Sequence, residues 1–439
     1  MPREQLILEH KSRLADSLCG DSAEPRAIVL MDATVIPIEK SSNYSAGRKS
    51  FSQQKMCRAI KMMVLCAADG YILQVIGPTF ANQKNNDEGI FEAMTTEGNE
   101  LYDPGFQPYF ERNDCVVWDR GFRKVVTRAE RMGFDVKMPA LKPRNVRQLS
   151  VEEANRTRAI TMIRWPVEGI FGRIKQVFKR CDGRLKNTQI PSFGNIFRIC
   201  CALTNAYFPP IRRENDNELY IAQQVIQRTE RSNIFFQYLQ DNNMINRRVI
   251  WRPLNAAALE TMPENGPLNI DIDEVLTDFP QLNMDDLRDI TLGTYQLKLS
   301  PSYTAEHVEE DGKYMIFYNI QDRGILQVRL QSRHSNAKEY KLFIRYDPSE
   351  DHVESIKGWY YDCPSGARNV GYCAHIASVL WYLGLARHQG EIPVPARGVF
   401  HSVLDSANGP EQNSDSDINE SDDDEIRADA DTESESDST

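Results

Sequence analysis

A short apolar stretch that ends in an acid constrains the fold of this chain more than any other feature. Cys115–Trp118 has the length and composition of a buried strand, and Asp119 follows it directly. Residues 27–38 form a second apolar run, which carries Asp32. An unpaired carboxylate is costly to bury, so we expect each acid to lie where its strand leaves the core. The alternative for Asp32 is a turn-capping role.

The segments around these strands have the order expected of an α/β domain with a mixed sheet and flanking helices. Two apolar runs around residues 69–70 predict a hairpin, with Asp69 as a turn residue. Residues 86–88 precede a periodic apolar segment and predict a helix start. We therefore place Asp87 at that helix start and outside any candidate site. The remaining predicted elements are a helix at residues 123–132 and a strand at Phe134–Met138.

A long helical region follows at residues 150–181 and carries a third acid. A capping-box pattern opens this region. Pro166 predicts a restart, because proline is tolerated in a first helical turn and breaks an interior one. On an ideal helix Arg164, Glu168 and Lys175 would lie within about 40° of one another. The alternative for Glu168 is a surface acid paired with Lys or Arg.

Three carboxylates held by two strands and a helix suit phosphodiester chemistry. Cleavage needs an activated water or 3′-hydroxyl and relief of the charge that builds on the leaving oxygen. Two Mg²⁺ ions about 4 Å apart supply both, and hard cations prefer carboxylate oxygens. We expect Asp32, Asp119 and Glu168 to be catalytic metal ligands. We expect the bases nearby to bind DNA phosphate; these are Arg120, Arg123, Arg164 and Lys175.

The net charge of −11 conceals a basic region. Residues 411–439 carry 13 acidic residues and one basic residue, so the rest of the chain is close to neutral. Residues 120–186 hold 18 Lys or Arg against 6 Asp or Glu. Such local basicity favours a polyanionic partner, and because it surrounds the candidate metal site we expect double-stranded DNA. The alternative is a solvated helical face with an ordinary basic excess.

Five stretches of the sequence resemble a single family. They are Met31–Thr34, Asp69–Tyr71 with Gly77-Pro78, Trp118–Arg123, Glu153–Arg158 and Arg164–Glu168. On these residues, the region from about 26 to 208 resembles the DDE-superfamily transposase endonucleases of the Harbinger-like group. The spacing from Arg164 to Lys175 also resembles a signature of bacterial insertion-sequence transposases, which has Tyr where this chain has Thr161.

This resemblance implies a ribonuclease-H-like fold and a catalytic triad of Asp32, Asp119 and Glu168. It implies Mg²⁺ or Mn²⁺ as cofactor, with nicking at transposon ends followed by attack of the freed 3′-hydroxyl on target DNA. It also implies a homo-oligomer that acts in the nucleus. All three acids are present, which favours an active enzyme.

Residues 286–390 have strong β signals and a helical run near their C-terminal end. The helical run begins at Cys373. The predicted strands are Tyr314–Ile320, Ile325–Ser332, Tyr340–Tyr346 and Trp359–Tyr361. We therefore expect a small β-rich domain that ends in a helix.

Cys363, Cys373 and His375 have the composition of a zinc site, with two of the three at a helix start. They resemble the SWIM zinc finger, whose pattern is Cys-x-Cys, a spacer and then Cys-x-His. Tyr361 stands at the first cysteine position, so three of four ligands match. A water, Tyr361 itself or a nearby group would have to complete the Zn²⁺ shell. The alternative to a zinc site is two buried cysteines and a histidine at a helix start. The resemblance implies that the module binds DNA or protein.

The expected organisation has five parts. They are a polar segment at 1–25, the endonuclease domain at 26–208, a helical segment and linker at 209–285, the β-rich domain at 286–390 with its SWIM-like part at about 340–386, and a disordered acidic tail at 408–439. No apolar run approaches the roughly 20 residues that span a membrane. Nine irregularly spaced cysteines favour a reducing compartment.

The rival to an active transposase is a domesticated or relic protein that binds DNA or chromatin without cutting it. The altered zinc pattern favours this rival. So does the lack of a recognisable DNA-binding module in residues 1–25.

Overall fold

The computed structural model describes most of the chain up to residue 389. The described residues are 2–10, 12–19, 25–53, 55–102, 110–143, 145–212, 216–253, 276, 278–293, 295–309, 315–332 and 335–389. They form two compact units, the first from residues 2–141 and 156–227 and the second from residues 142–155 and 228–389. The acidic tail predicted at 408–439 lies outside the described residues.

The first unit is built on a mixed sheet. Its strands are β1 (Ile28–Pro37), β2 (Phe51–Ser52), β3 (Cys57–Ala67), β4 (Ile72–Phe80), β5 (Cys115–Val117) and β6 (Asp135–Lys137). They follow the order β2-β3-β1-β5-β6, and β4 also pairs with β3. β1 is antiparallel to β3 and parallel to β5, and β5 is parallel to β6. The mixed sheet predicted for this region is confirmed, as is the hairpin of β3 and β4.

Helices cover both faces of this sheet. Those that lie wholly or mainly in the first unit are α1 (Arg3–Glu9), α2 (Arg13–Cys19), α3 (Tyr44–Lys49), α4 (Asp87–Met94), α5 (Val126–Arg131), α6 (Val151–Val177), α7 (Ile190–Tyr207) and α8 (Asp216–Thr229). Successive side chains of a strand point to opposite faces. Leu30 of β1 therefore packs in a cluster with α6 and α7, while Met31 packs in another with α4 and α5. α1 and α2 add Leu6 and Ala15 to these clusters, so both helices are part of the packed unit.

α6 runs through Pro166 without a break, contrary to the predicted restart. Proline has no backbone N–H, so the carbonyl of Met162, four residues earlier, lacks its helical donor. The guanidinium of Arg212 donates a hydrogen bond to that carbonyl and also forms an ion pair with Glu218. A side chain distant in sequence thus replaces the missing donor, which the local sequence of the helix could not indicate.

The second unit contains an antiparallel sheet of five strands in the order β11-β10-β9-β8-β7. These are β7 (Trp251–Pro253), β8 (Met315–Asn319), β9 (Ile325–Ser332), β10 (Ser335–Tyr346) and β11 (Ile356–Tyr361). Its helices are α9 (Ile234–Asp241), α10 (Met284–Thr291), α11 (Tyr295–Glu309) and α12 (Ala374–Gly384). Residues 254–275 of the predicted linker lie outside the described residues. Among the described helices of both units, none has the length and apolar composition to cross a membrane.

Candidate metal centre

Three aspartates from separate elements converge in the first unit. One carboxylate oxygen from each of Asp32, Asp87 and Asp119 lies within 4.8 Å of the other two. Within the part of the chain that the structure describes, no other group of three or more Asp, Glu, His or Cys side chains is this close. A set of carboxylate oxygens at these separations is the donor chemistry that hard divalent cations prefer.

The parallel register of β1 and β5 brings two of these aspartates together. Leu30 pairs with Val117, the last residue of β5. Asp32 and Asp119 each lie two residues beyond that pair, one still in β1 and the other just past the end of β5. Because side chains alternate along a strand, Asp32 lies on the same face as Leu30, the face that packs against α6. The structure therefore brings together the two aspartates that the sequence placed in and directly after apolar strands.

Asp32 is largely buried, with 17% of its side chain exposed. One of its carboxylate oxygens accepts a hydrogen bond from the Ala33 N–H at 2.7 Å, and the other lies 3.1 Å from the guanidinium of Arg164. Burial raises the pKa of Asp32, Arg164 lowers it, and the neighbouring acids raise it again, so that the pKa reaches about 7. The single arginine does not offset burial and carboxylate repulsion at this position.

Asp119 caps a short 3-10 helix that covers Arg120–Val125. Its carboxylate accepts a hydrogen bond from the Gly121 N–H at 2.8 Å. A Cβ atom at Gly121 would lie 2.9 Å from Oδ1 of Asp119 and 3.1 Å from Oδ2 of Asp87. Such distances are too short for an ordinary contact, so glycine lets the backbone approach both carboxylates closely.

Asp87 is the first residue of α4, and its carboxylate belongs to the acid cluster. The predicted helix start is confirmed, but the sequence-based prediction left Asp87 apart from the other acids, whereas its carboxylate lies among them in the structure. The Nζ of Lys61, on β3, lies 3.3 Å from its carboxylate. Burial raises the pKa of Asp87, Lys61 lowers it and Asp119 raises it, with a net increase. The contact between α4 and the loop after β5 is long-range, and the local pattern of a helix start gives no sign of it.

The acid cluster lies inside a stretch of chain that matches a known family. Residues 31–205 match the DDE superfamily endonuclease family. No curated protein and no solved structure matches the chain. The matched stretch, called the endonuclease region below, includes the three clustered aspartates and Glu168. This match supports the predicted relationship to DDE transposases.

Glu168 lies on α6 in the endonuclease region, but outside the cluster of aspartates. Its carboxylate is 2.5 Å from the guanidinium of Arg164, one helical turn earlier, and 43% of its side chain is exposed. Arg164, with 14% of its side chain exposed, thus binds Asp32 and Glu168 together. Burial lowers the pKa of Arg164, but the two carboxylates outweigh burial and raise it. The arginine that the sequence placed on phosphate is, in this structure, the link between two of the predicted triad acids.

The other bases predicted to contact DNA have different surroundings. The guanidinium of Arg120 donates a hydrogen bond to the Ala140 carbonyl at 2.7 Å, which fixes the chain after β6. Arg123 is exposed on the 3-10 helix, and Lys175 is half-buried on α6. Arg123 is therefore the most accessible of the three to a ligand in solution.

The cysteines predicted to bind zinc lie in the second unit, where Cys363 and Cys373 are buried. Burial raises the pKa of the Cys373 thiol, but Cys363 and His375 outweigh burial and hold it well below its usual value. The ring of His375 lies 4.9 Å from the ring of Tyr361, whose buried hydroxyl has no hydrogen-bond partner within the described residues. The ligand atoms of Cys363, Cys373 and His375 do not all lie within 4.8 Å of one another, as those of the three aspartates do.

Proposed function

We propose that the endonuclease region is a metal-dependent DNA nuclease of the Harbinger-like DDE transposase type. The observation that carries this proposal is the convergence of Asp32, Asp87 and Asp119 within the stretch that matches DDE endonucleases. The sheet supports a ribonuclease-H-like fold, because its central strand β1 is antiparallel to β3 and parallel to β5.

The cofactor in this proposal is Mg²⁺ or Mn²⁺, and the residues present fit such a cation. The donors are hard carboxylate oxygens. Burial, and to a lesser extent the neighbouring acids, raise the pKa values of Asp32 and Asp87, and a bound cation would favour the ionised form of both. When bound, two metal ions activate the attacking oxygen and stabilise the leaving oxygen. Asp32 and Asp119 would hold the metal ions, and Glu168 would close the site from α6.

The bases of the region would bind and orient the DNA backbone. Arg164 and Lys175 would contact phosphate from α6, and Arg120 and Arg123 from the turn after Asp119. In the first reaction water attacks a phosphodiester and the 3′-oxygen leaves. In the second the freed 3′-hydroxyl attacks a phosphodiester of target DNA, is joined to its 5′-phosphate, and the 3′-oxygen of the target strand leaves. Double-stranded DNA is supported as the partner by the 18 Lys or Arg against 6 Asp or Glu in residues 120–186. Action as a homo-oligomer in the nucleus belongs to the same proposal.

The second unit is, in this proposal, a SWIM-like module that binds Zn²⁺ through Cys363, Cys373 and His375. The lowered pKa of Cys373 supports it, since the thiolate is the form of cysteine that binds metal. Burial and Cys373 raise the pKa of Cys363, so that thiol would have to lose its proton as the metal binds. A water, Tyr361 or a nearby group would complete the shell; the buried hydroxyl of Tyr361 has no hydrogen-bond partner among the described residues.

Zinc analysis of the full-length protein, purified under reducing conditions, tests this module. We expect one Zn²⁺ per chain in the wild type, loss of it in Cys363→Ser, and retention in Cys57→Ser, where the half-buried cysteine lies on β3. A wild-type protein without zinc, or equal zinc in both variants, would rule the module out.

A DNA-binding protein without nuclease activity is the second candidate. The observation that favours it is the ion pair between Arg164 and Glu168, which holds the third triad acid away from the aspartates.

Nicking and binding assays on the same DNA separate the two functions. Supercoiled plasmid carrying the native flanks is incubated with Mg²⁺ or Mn²⁺ and the wild type, Glu168→Gln, or Glu92→Gln as a control for an exposed acid on α4. The nuclease proposal predicts metal-dependent nicking by the wild type and the control, and loss of nicking but not of DNA binding in Glu168→Gln. Equal traces of nicking in all three, with DNA bound, would establish the binding-only alternative.

A further inference from the structure

Asp87 has a position that neither the predicted triad nor its place in α4 explains. The predicted triad is Asp32, Asp119 and Glu168, but the third carboxylate that approaches both aspartates is that of Asp87. Glu168 is instead paired with Arg164. The folded site therefore contains three aspartates, and Glu168 lies outside this cluster, paired with Arg164.

Helix capping does not account for the inward carboxylate of Asp87. Asn86 already caps α4, because its side-chain oxygen accepts a hydrogen bond from the Gly89 N–H at 2.9 Å. An acid in a first helical turn interacts favourably with the helix dipole from an exposed position as well. Only 19% of the Asp87 side chain is exposed. The favourable interaction with the helix dipole does not require this burial, so helix stability does not explain it.

The acidic side chains around Asp87 outnumber the basic ones, which favours a bound cation. Lys61 forms an ion pair with Asp87, and Arg164 forms ion pairs with Asp32 and Glu168. These two cations face four carboxylates, counting Asp119. The two remaining negative charges equal the charge of one divalent ion.

Gly121 lets the turn after β5 lie close to both Asp87 and Asp119. A Cβ atom there would come within 3.1 Å of a carboxylate oxygen of each residue. The turn after β5 thus brings its backbone against both oxygens at once, as expected where two ligands must approach a common point.

We propose that Asp87 is a metal-binding residue, which holds a divalent cation together with Asp32 and Asp119 before Glu168 is engaged. This inference rests on the proposed nuclease function and assigns the first metal ion of that site to three aspartates. Glu168 then acts after its ion pair with Arg164 opens, for example when a DNA phosphate takes up the guanidinium.

Binding of Mn²⁺ alone, followed by electron paramagnetic resonance on the full-length protein without DNA, tests the assignment. Asp87→Asn should raise the Kd for Mn²⁺ by about tenfold or more, since loss of even an outer-shell partner of a metal ligand typically costs 10–100-fold. Asp32→Asn and Asp119→Asn should have effects of the same size. Glu168→Gln and the exposed control Glu92→Gln should change the Kd less than about threefold.

The outcomes separate this inference from the proposed function. If Asp32→Asn and Asp119→Asn weaken binding while Asp87→Asn matches the control, the role of Asp87 is wrong and the metal site stands. If none of the variants weakens binding, the metal site and the inference fail together. Because Asp87→Asn leaves Lys61 without its acid, the Lys61→Gln/Asp87→Asn double variant is measured as well, and it should bind Mn²⁺ as poorly as the single variant.

A second measurement uses the wild type alone. Fe²⁺ in place of Mg²⁺, with ascorbate and peroxide, produces radicals that cut the backbone near the bound metal, and mass spectrometry locates the cuts. We expect cuts beside Asp32, Asp87 and Asp119. Cuts beside Asp32, Asp119 and Glu168, with none near Asp87, would overturn the inference.

Discussion

The guanidinium of Arg164 lies 3.1 Å from the carboxylate of Asp32. The two residues come from different elements, α6 and β1, and both are largely buried. The same guanidinium binds Glu168 one turn further along α6. Arg164 therefore compensates charge at the acid cluster and also holds the acid that the DDE triad would require there.

Replacing Arg164 should destabilise the metal-free protein. Arg164→Gln leaves the buried Asp32 carboxylate without its cation, which should lower the free energy of unfolding by about 1–3 kcal/mol. Urea unfolding at pH 8 measures the change, with Arg184→Gln as the control because that arginine is exposed. Equal stability of the two variants would mean that the ion pair contributes nothing to the fold.

The stability of the metal-free protein should fall as the pH rises. The pKa of Asp32 is raised from its ordinary value to about 7, so the folded state binds the proton more tightly than the unfolded state. That contribution is present at low pH and is lost between about pH 4 and about pH 7. Asp32→Asn cannot titrate, and its free energy of unfolding should fall less over this range. The same slope in both proteins would contradict the raised pKa.

Asp32 and Asp119 could be predicted from sequence because each follows or lies in a short apolar run. The apolar pattern of each strand is local, and the parallel pairing of β1 with β5 then aligns the two acids. The same reasoning yields the mixed sheet and the β3–β4 hairpin.

Asp87 could not be predicted in the same way. Its place in the cluster depends on α4 packing beside the loop after β5, a contact between segments that are distant in sequence. The unbroken α6 is a similar case, since the donor that replaces the missing N–H of Pro166 comes from Arg212. In both cases tertiary contacts determine the structure, and local secondary-structure propensity does not predict those contacts.

Gly121→Ala should disturb the acid cluster. The added Cβ atom would lie 2.9 Å from Asp119 Oδ1 and 3.1 Å from Asp87 Oδ2, so at least one carboxylate must move. We expect weaker Mn²⁺ binding by calorimetry, by about tenfold. Gly172→Ala in α6 is the matched control, because no atom lies within 4 Å of its added Cβ. That variant should bind Mn²⁺ normally and gain about 0.5–1 kcal/mol of stability from the lost glycine.

Arg212 and Pro166 should be energetically coupled through the carbonyl of Met162. Arg212→Met removes the donor to that carbonyl and the partner of Glu218, and should cost about 1–3 kcal/mol. Pro166→Ala restores the helical N–H, so in that background the same substitution should cost about 1 kcal/mol less. A double-mutant cycle by urea unfolding measures the difference, and strict additivity would show that Arg212 does not replace the missing donor.

The Mg²⁺ dependence of plasmid nicking by the wild type and by Asp119→Asn tests the central claim most directly, with DNA binding measured on the same samples. The account predicts nicking that requires Mg²⁺, disappears with a chelator, and falls by about a hundredfold or more in Asp119→Asn while DNA binding persists. Nicking that continues without metal, or that is equal in Asp119→Asn, would contradict the metal centre at the aspartates.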